Sequence, residues 1–183
     1  MPIHIASRRR SAASLASAFP GARIIDVTSK AQQPWVRMSP FYPHGDIPVP
    51  FSGEAVSQSV EGIWQALKVF EDHDVDPRKL HITSMSGLKR TVRTNGPVLG
   101  HREGLTGARL LPYVEARRRI FLPSYRWVLE HHVADLVAEL RAAAEGDVVL
   151  LDYTVNGDVT DTGSALSHAA LIALYVQDRW PSA

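Results

Sequence analysis

The chain reads as a mixed, helix-rich α/β protein, and three observations predict it. Val148-Val149-Leu150-Leu151 is an unbroken apolar run of strand length, as a strand covered on both faces requires. On either side of it, Tyr125 to Ala144 and Ser164 to Gln177 carry their apolar residues at helical spacing. Ahead of Val27, a short apolar segment, a helical one and a second apolar segment follow one another in the order of a β-α-β unit. The expected architecture is a small central sheet packed by helices, in a single domain spanning residues 1–183. A chain of that length buries about two thirds of its unfolded surface and needs no covalent staple.

His4-Ile5-Ala6 is a short strand, Ser11 to Phe19 a helix, and Pro20-Gly21 a break before the strand Ala22 to Val27. Gln32 to Phe51 holds Pro34, Pro40, Pro43, Pro48 and Pro50 among Trp35, Phe41 and Tyr42, which disfavours helix throughout. An ordered loop of that length is either functional or a rigid cover over a core edge. Ser59 to Phe70 is a helix. Ser59, or Ser57 before it, is the N-cap, and Glu61 falls in the first turn, where the helix dipole favours an ionised carboxylate. Ile63, Leu67 and Phe70 form its apolar stripe, while Glu61, Trp64, Gln65 and Lys68 share a second face at i, i+3, i+4 and i+7. That face is either one wall of a cleft or an ordinary solvated surface.

Glu71 to Asp74 and Pro77 mark a turn and a short helix start, and Ser86 to Arg93 is a basic segment that includes Gly87. Asn95-Gly96-Pro97 is a turn ahead of Gly100-His101-Arg102-Glu103-Gly104. Tyr113 to Ile120, with Arg117, Arg118 and Arg119, leads to Pro123 and then to the long helix, which Gly146 ends. After the Val148 strand, Thr154 to Gly163 is a polar loop, and Ser164 opens the closing helix.

Composition removes several chemistries. There is no cysteine, which excludes disulfides, thiolate nucleophiles, zinc-thiolate sites and iron–sulfur clusters. Twenty Lys and Arg against nineteen Asp and Glu leave a formal charge of +1, so no global field drives nonspecific binding to nucleic acid or membrane. The start of the chain has arginines at 8 to 10 but no apolar run of a signal peptide, and no segment approaches the roughly 20 apolar residues of a membrane helix. A cytoplasmic protein without membrane contact is expected. His131 and His132 are adjacent and diverge by about 100° on a helix, the spacing of Asp158 and Asp161 is not that of a calcium loop, and no HExxH is present. P-loop, Rossmann and GxSxG signatures are absent too. Neither a metal site nor an organic cofactor is expected.

Four clusters can carry chemistry. The Glu61 face is the first. Lys89, Arg90 and Arg93, followed by His101 and Arg102, form a cationic set suited to phosphate or another anion, or else a solvated charged surface. Asp152 to Gly163 places acids and hydroxyls at the carboxyl end of a buried strand, where open α/β sheets bind ligands; alternatively Asn156, Asp158 and Asp161 make local turn bonds. His168, close to Ser164, is either a site residue or a core histidine.

The helix motif resembles that of the NADAR or YbiA-like superfamily of small α/β N-glycosidases, which carries Ser-x-Glu, then aromatics, then Gln-Ala-x-Lys-Phe. Ser59, Glu61, Trp64, Gln65, Ala66 and Lys68 match it, with Phe70 one place displaced. Ser39-Pro40-Phe41-Tyr42-Pro43 is similar to that superfamily's Ser-Asn-Phe segment, and Lys89 to Arg93 to its short basic region. The order of features agrees from about residue 35 to 165. The acidic loop departs: where the superfamily has Asp-x-x-Trp-Gly, this chain has Asp158-Val159-Thr160-Asp161-Thr162-Gly163, without tryptophan. The insertion from Gly100 to Tyr125 has no counterpart. Val60 to Gln65, Gly100 to Arg102 and Leu166 to Ala169 together look like a divergent bacterial and phage branch, whose membership names no substrate.

The resemblance implies a YbiA-like domain that hydrolyses an N-glycosidic bond, without metal or cofactor, in a phosphorylated riboside or an ADP-ribosylated substrate. Nucleic acid would enter only as a modified substrate. Glu61 is then the main catalytic carboxylate, with Asp158 or Asp161 as second acid. Trp64, Phe41 or Tyr42 stack on base or ribose, Lys68, Lys89, Arg90 and Arg93 hold phosphate, and Gln65, His101, Arg102 and His168 complete the substrate contacts. Two other readings remain open. One is a nucleotide or ADP-ribose binding module without turnover; the other is a phage or host interaction domain whose Arg117 to Arg119 docks an acidic partner.

Overall fold

Along the chain of the computed structural model, which describes residues 3–182, the elements begin β1 (Ile3–Ser7), α1 (Ala12–Ala18) and β2 (Arg23–Asp26). A 3₁₀ turn over Trp35–Met38 precedes β3 (Ile47–Pro48), β4 (Val56–Ser57), α2 (Val60–Leu67) and β5 (Lys68–Phe70). A second 3₁₀ turn, Pro77–His81, leads to α3 (Val92–Asn95), β6 (Val98–Arg102) and β7 (Leu110–Leu111). The remainder is α4 (Tyr113–Ala116), a π-helical stretch Arg117–Phe121, α5 (Leu122–His131), α6 (Ala134–Ala143), β8 (Val148–Asp152) and α7 (His168–Val176). The class is mixed α/β. The chain falls into two compact units, one reaching to Ser39 and resuming over Val133–Ser182, the other running from Pro40 to His132.

In the first unit β8 lies between β1 and β2, parallel to both, with Leu150 in register with Ile5 and Ile25. All five of its residues are buried, which accounts for the unbroken apolar run. Ser11 caps α1 by accepting from the Ser14 N–H, and Leu15 packs with Ala6, Val149 and Leu151. The closing helix α7 starts at His168, not at Ser164, because the Asn156 side chain holds the Asp161 and Ser164 carbonyls and its own carbonyl takes the Ser167 N–H. Ser167 is therefore the cap, accepting from Ala170.

The long helix expected from Tyr125 to Ala144 is two helices, α5 in one unit and α6 in the other, separated at His132 and Val133. Val133 leaves helical geometry at φ −132°, yet it is fully buried, so the apolar spacing continues across the break and hides it from a periodicity argument. The His131 ring meanwhile donates Nδ1 to the Trp127 carbonyl at 3.0 Å, competing with the last helical bond.

In the second unit β5, β6 and β7 form an antiparallel sheet, and β3 pairs with β4. Helix α2 stops at Leu67, three residues earlier than the apolar spacing suggests. Lys68, Val69 and Phe70 instead pair with β6, where Lys68 faces His101 and Val69 faces Gly100. Val69 and Phe70 are buried by sheet pairing, and an aromatic following a β-branched residue suits a strand at least as well as a helix. Gly100-His101-Arg102 is consequently strand. Gly100, at φ +150°, has no room for a side chain, because a Cβ would stand 2.5 Å from the Leu111 carbonyl oxygen. The π-helical stretch ahead of Pro123 fits the lost donor: a proline N cannot bond the Arg119 carbonyl, so the turn there widens. Within the proline-rich segment, helix is confined to the single 3₁₀ turn Trp35–Met38. Among the described residues no helix is long and apolar enough to cross a membrane.

Candidate functional site

Helix α2 places Glu61 through its cap. The Ser59 hydroxyl accepts the Gly62 N–H at 3.0 Å, and Ser57 Oγ donates to the Ser59 carbonyl at 2.9 Å. Gly62 lets this turn press on Pro77–His81, since a Cβ at 62 would lie 2.8 Å from the Lys79 carbonyl. The Glu61 backbone N–H donates to the Pro40 carbonyl at 2.9 Å, and the residue is only 8% exposed. Gln65 Nε2 donates to Glu61 Oε1 at 2.8 Å, while Gln65 Oε1 accepts from the Arg90 backbone N–H at 3.0 Å and from Lys68 Nζ at 3.4 Å. Oε2 of Glu61 has no hydrogen-bond donor among the described residues.

This geometry reverses the charge preference expected of a first-turn glutamate. Burial pushes the Glu61 carboxyl above the ordinary carboxylate value, against the opposing pull of the Gln65 hydrogen bond and of Lys68 and Lys89. Burial likewise lowers Lys68, opposed by Glu61 and reinforced by Arg90 and Lys89. An acid moved up at the start of α2 and a base moved down just past its end bring their proton affinities toward each other. Such a pair is suited to exchanging protons with a bound reactant.

Trp64, half-buried, lies with its ring centroid 3.7 Å from that of His101, and Tyr113 and Phe121 meet it edge-on at 5.9 and 5.8 Å. His101 is fully buried, and neither ring nitrogen has a hydrogen-bond partner. Burial, with Lys68 adding to it, lowers its pKa to about 3, so the imidazole is neutral at physiological pH. His101 thus backs Trp64 and offers no charge to a ligand.

The cations divide by engagement. Arg90 donates to the carbonyls of Gln65 at 3.2 Å, Lys68 at 2.6 Å and Asp74 at 2.8 Å, and its guanidinium lies 4.8 Å from the centre of the Phe70 ring. It locks the end of α2 to the Asp74 turn. Arg102 makes a two-oxygen pair with Asp74 at 3.0 and 2.9 Å. Lys89 is exposed and hydrogen-bonds to nothing among the described residues; its ammonium sits 5.7 Å from the centre of the Phe41 ring. Arg93 is exposed on α3. The Tyr42 ring lies tilted against His44, with the ring centroids 4.8 Å apart.

An open cavity of about 840 Å³ lies between residues 73–79 and 89–95, lined by Arg78, Lys79, Lys89 and Arg90 together with Asp74 and Asp76. Arg78 and Lys79 were not anticipated as site residues, although the pair follows a recognisable Asp-Pro helix start. Arg93 does not line this cavity.

Asp158, Asp161 and His168 belong to the first unit. Asp158 Oδ1 accepts from Thr160 N at 2.8 Å and Thr160 Oγ1 at 2.7 Å, and Asp161 Oδ1 accepts from Gly163 N at 2.8 Å. These are the local turn bonds that the loop composition allowed as an alternative to a site. His168 is a core residue. Its Nδ1 meets Asp152 Oδ2 at 2.9 Å and its Nε2 donates to the Val27 carbonyl at 2.8 Å. With both nitrogens donating, the ring is an imidazolium: burial disfavours that form, but Asp152 and the two hydrogen bonds raise its pKa. Burial would raise Asp152, yet His168, Ser167 and the Tyr153 N–H hold it below its ordinary value. The pair anchors β8 to α7, which corrects the assignment of His168 as a substrate contact.

In the arginine-rich insertion, Arg117 and Arg119 have partners of their own. Arg117 is 2% exposed, with its guanidinium 4.5 Å from the centre of the Tyr113 ring. Arg119 pairs with Glu103 at 2.6 Å and Glu115 at 3.4 Å. Both guanidinium groups are thus engaged within the chain. Among the described residues, no three His, Asp or Glu side chains gather as metal ligands.

No curated protein matches the chain. A family model matches residues 7–172, a span that takes in α2, the cationic cavity and the Asp152–His168 pair. By that match, the chain belongs to DUF6939, a family of unknown function.

Proposed function

We propose that the protein hydrolyses an N-glycosidic bond in a phosphorylated riboside or an ADP-ribosyl-type substrate, with Glu61 as the main catalytic carboxylate and no metal. The observation that carries this reading is the Glu61 carboxyl: buried, gripped through Oε1 by Gln65, raised in pKa, and with Oε2 left for a reactant. In such a reaction the C1′–N bond breaks and its electron pair goes to the base nitrogen. The oxygen of water bonds to C1′, the water's proton passes to Glu61, and the departing nitrogen gains a proton from the Glu61–Lys68 pair. Positive charge on the sugar at the transition state favours an adjacent carboxylate in a site of low dielectric. Trp64, backed by His101, offers an aromatic surface for base or ribose. In this reading Lys68, whose charge acts on Glu61, takes the part of the second acid in place of Asp158 or Asp161.

The test is release of free base from a panel of nucleotides and ADP-ribosylated substrates by wild-type protein and Glu61→Gln. A fall of about 10²-fold or more is expected on losing the acid–base group. Equal release by the two proteins sinks the proposal. The cation-lined cavity favours one further reading, a nucleotide or ADP-ribose binding module, which predicts tight binding without turnover and binding that survives Glu61→Gln.

A further inference from the structure

The geometry points to the cavity between residues 73–79 and 89–95 as the site that holds the phosphate monoester of the substrate, with Lys79 and Lys89 as its charged contacts. This assignment rests on the N-glycosidase reading for the identity of the substrate, and on the cavity alone for the phosphate.

Four cations face two carboxylates in its lining, and both carboxylates are already taken. Asp76 accepts Arg78 through both oxygens, at 2.8 and 3.0 Å, and Asp74 is gripped by Arg102. Lys79 spends one bond, at 2.7 Å, on the Gly87 carbonyl, and its ammonium has two further donors. Lys89 spends none, and the Arg90 charge meets carbonyls but no carboxylate. The Thr91 and Thr94 hydroxyls, 3.1 Å apart, add neutral donors on the same wall. An excess of positive charge beside hydroxyls is what a phosphate carrying between one and two negative charges needs. The volume, about 840 Å³, exceeds that of phosphate alone and suits a sugar phosphate or nucleotide.

The cavity wall is also tied to Glu61. Gln65 holds Glu61 with its amide nitrogen and the Arg90 backbone with its amide oxygen, while Lys89 lines the cavity and acts electrostatically on Glu61. A phosphate bound there therefore orders the wall that positions the carboxylate and offsets a charge that Glu61 senses.

Calorimetry on the full chain, with ribose 5-phosphate, inorganic phosphate and ribose as probes, tests the assignment. Ribose 5-phosphate and phosphate should bind and ribose should not. Lys89→Glu, at an exposed residue without hydrogen bonds, should weaken ribose 5-phosphate by about tenfold or more, and Lys79→Gln should weaken it too. Arg93→Gln, at an exposed residue outside the cavity lining, should change it by no more than about twofold. If ribose binds as well as its phosphate, or if neither lysine variant weakens binding while its near-ultraviolet circular dichroism stays native, the assignment is overturned. Phosphate binding that depends on Lys89, together with no base release from any substrate, would leave the assignment standing and remove the N-glycosidase reading.

Discussion

Gln65 Nε2 donates to Glu61 Oε1 at 2.8 Å, one helical turn apart on a buried face. The amide makes the only hydrogen bond to the carboxylate among the described residues, so it limits how far burial can raise the Glu61 pKa. Gln65→Met keeps the volume and removes the donor. It should move the Glu61 titration, followed by carboxyl carbon NMR, to higher pH. A midpoint that stays in place or falls would show that Gln65 does not restrain the carboxylate.

Glu61 should cost stability where it ionises. Its folded pKa lies above the unfolded value of 4.5, so the folded state binds the proton more tightly. The stabilisation is complete below that unfolded value and is lost as pH rises through the folded pKa. Glu61→Gln should remove this slope and, above it, gain about 0.5 kcal/mol or more, the usual size of relief when a strained site is neutralised. Urea unfolding from pH 4 to pH 8 checks it, and a variant less stable than wild type at every pH would contradict the assignment of Glu61 as a strained carboxylate.

The Asp152–His168 pair behaves oppositely on its two flanks. Asp152 is depressed, so its contribution is present above 3.8 and lost as pH falls through its folded value. His168 is raised, so its contribution is present below 6.5 and lost as pH rises through its folded value. Removing one partner strands the other in the core. His168→Ala should cost about 3–5 kcal/mol at neutral pH. A loss of less than about 1 kcal/mol in urea unfolding would assign the pair a minor role.

Gly62→Ala places a Cβ 2.8 Å from the Lys79 carbonyl and 2.9 Å from Ser57 Oγ. The first turn of α2 must shift, and Glu61 moves with it. A loss of about 1–3 kcal/mol is expected from overpacking, and base release should fall even at temperatures where the variant is folded. Wild-type activity and stability together would mean that the turn has slack.

Legibility in the sequence followed the range of the interactions. The Val148 strand, the Ser59 cap and the Glu61–Trp64–Gln65 face were visible because each depends on neighbours within a turn or a run. The end of α2 was not, because Lys68, Val69 and Phe70 answer to β6, some thirty residues on. The break at Val133 was hidden by a buried side chain that keeps the apolar spacing. His168 looked exposed to function because its partners, Asp152 and the Val27 carbonyl, lie far from it in the chain. Arg78 and Lys79 were missed for the same reason, since only folding brings them to face Lys89 across the cavity.

The central claim is that Glu61 performs chemistry on a phosphorylated riboside. The most direct measurement is single-turnover release of free base by wild type and Glu61→Gln, each saturated with the same substrate, with binding measured on the same samples. The rate should be lower by about 10²-fold or more in the variant, with affinity for the substrate retained. A variant that releases base at the wild-type rate would contradict it.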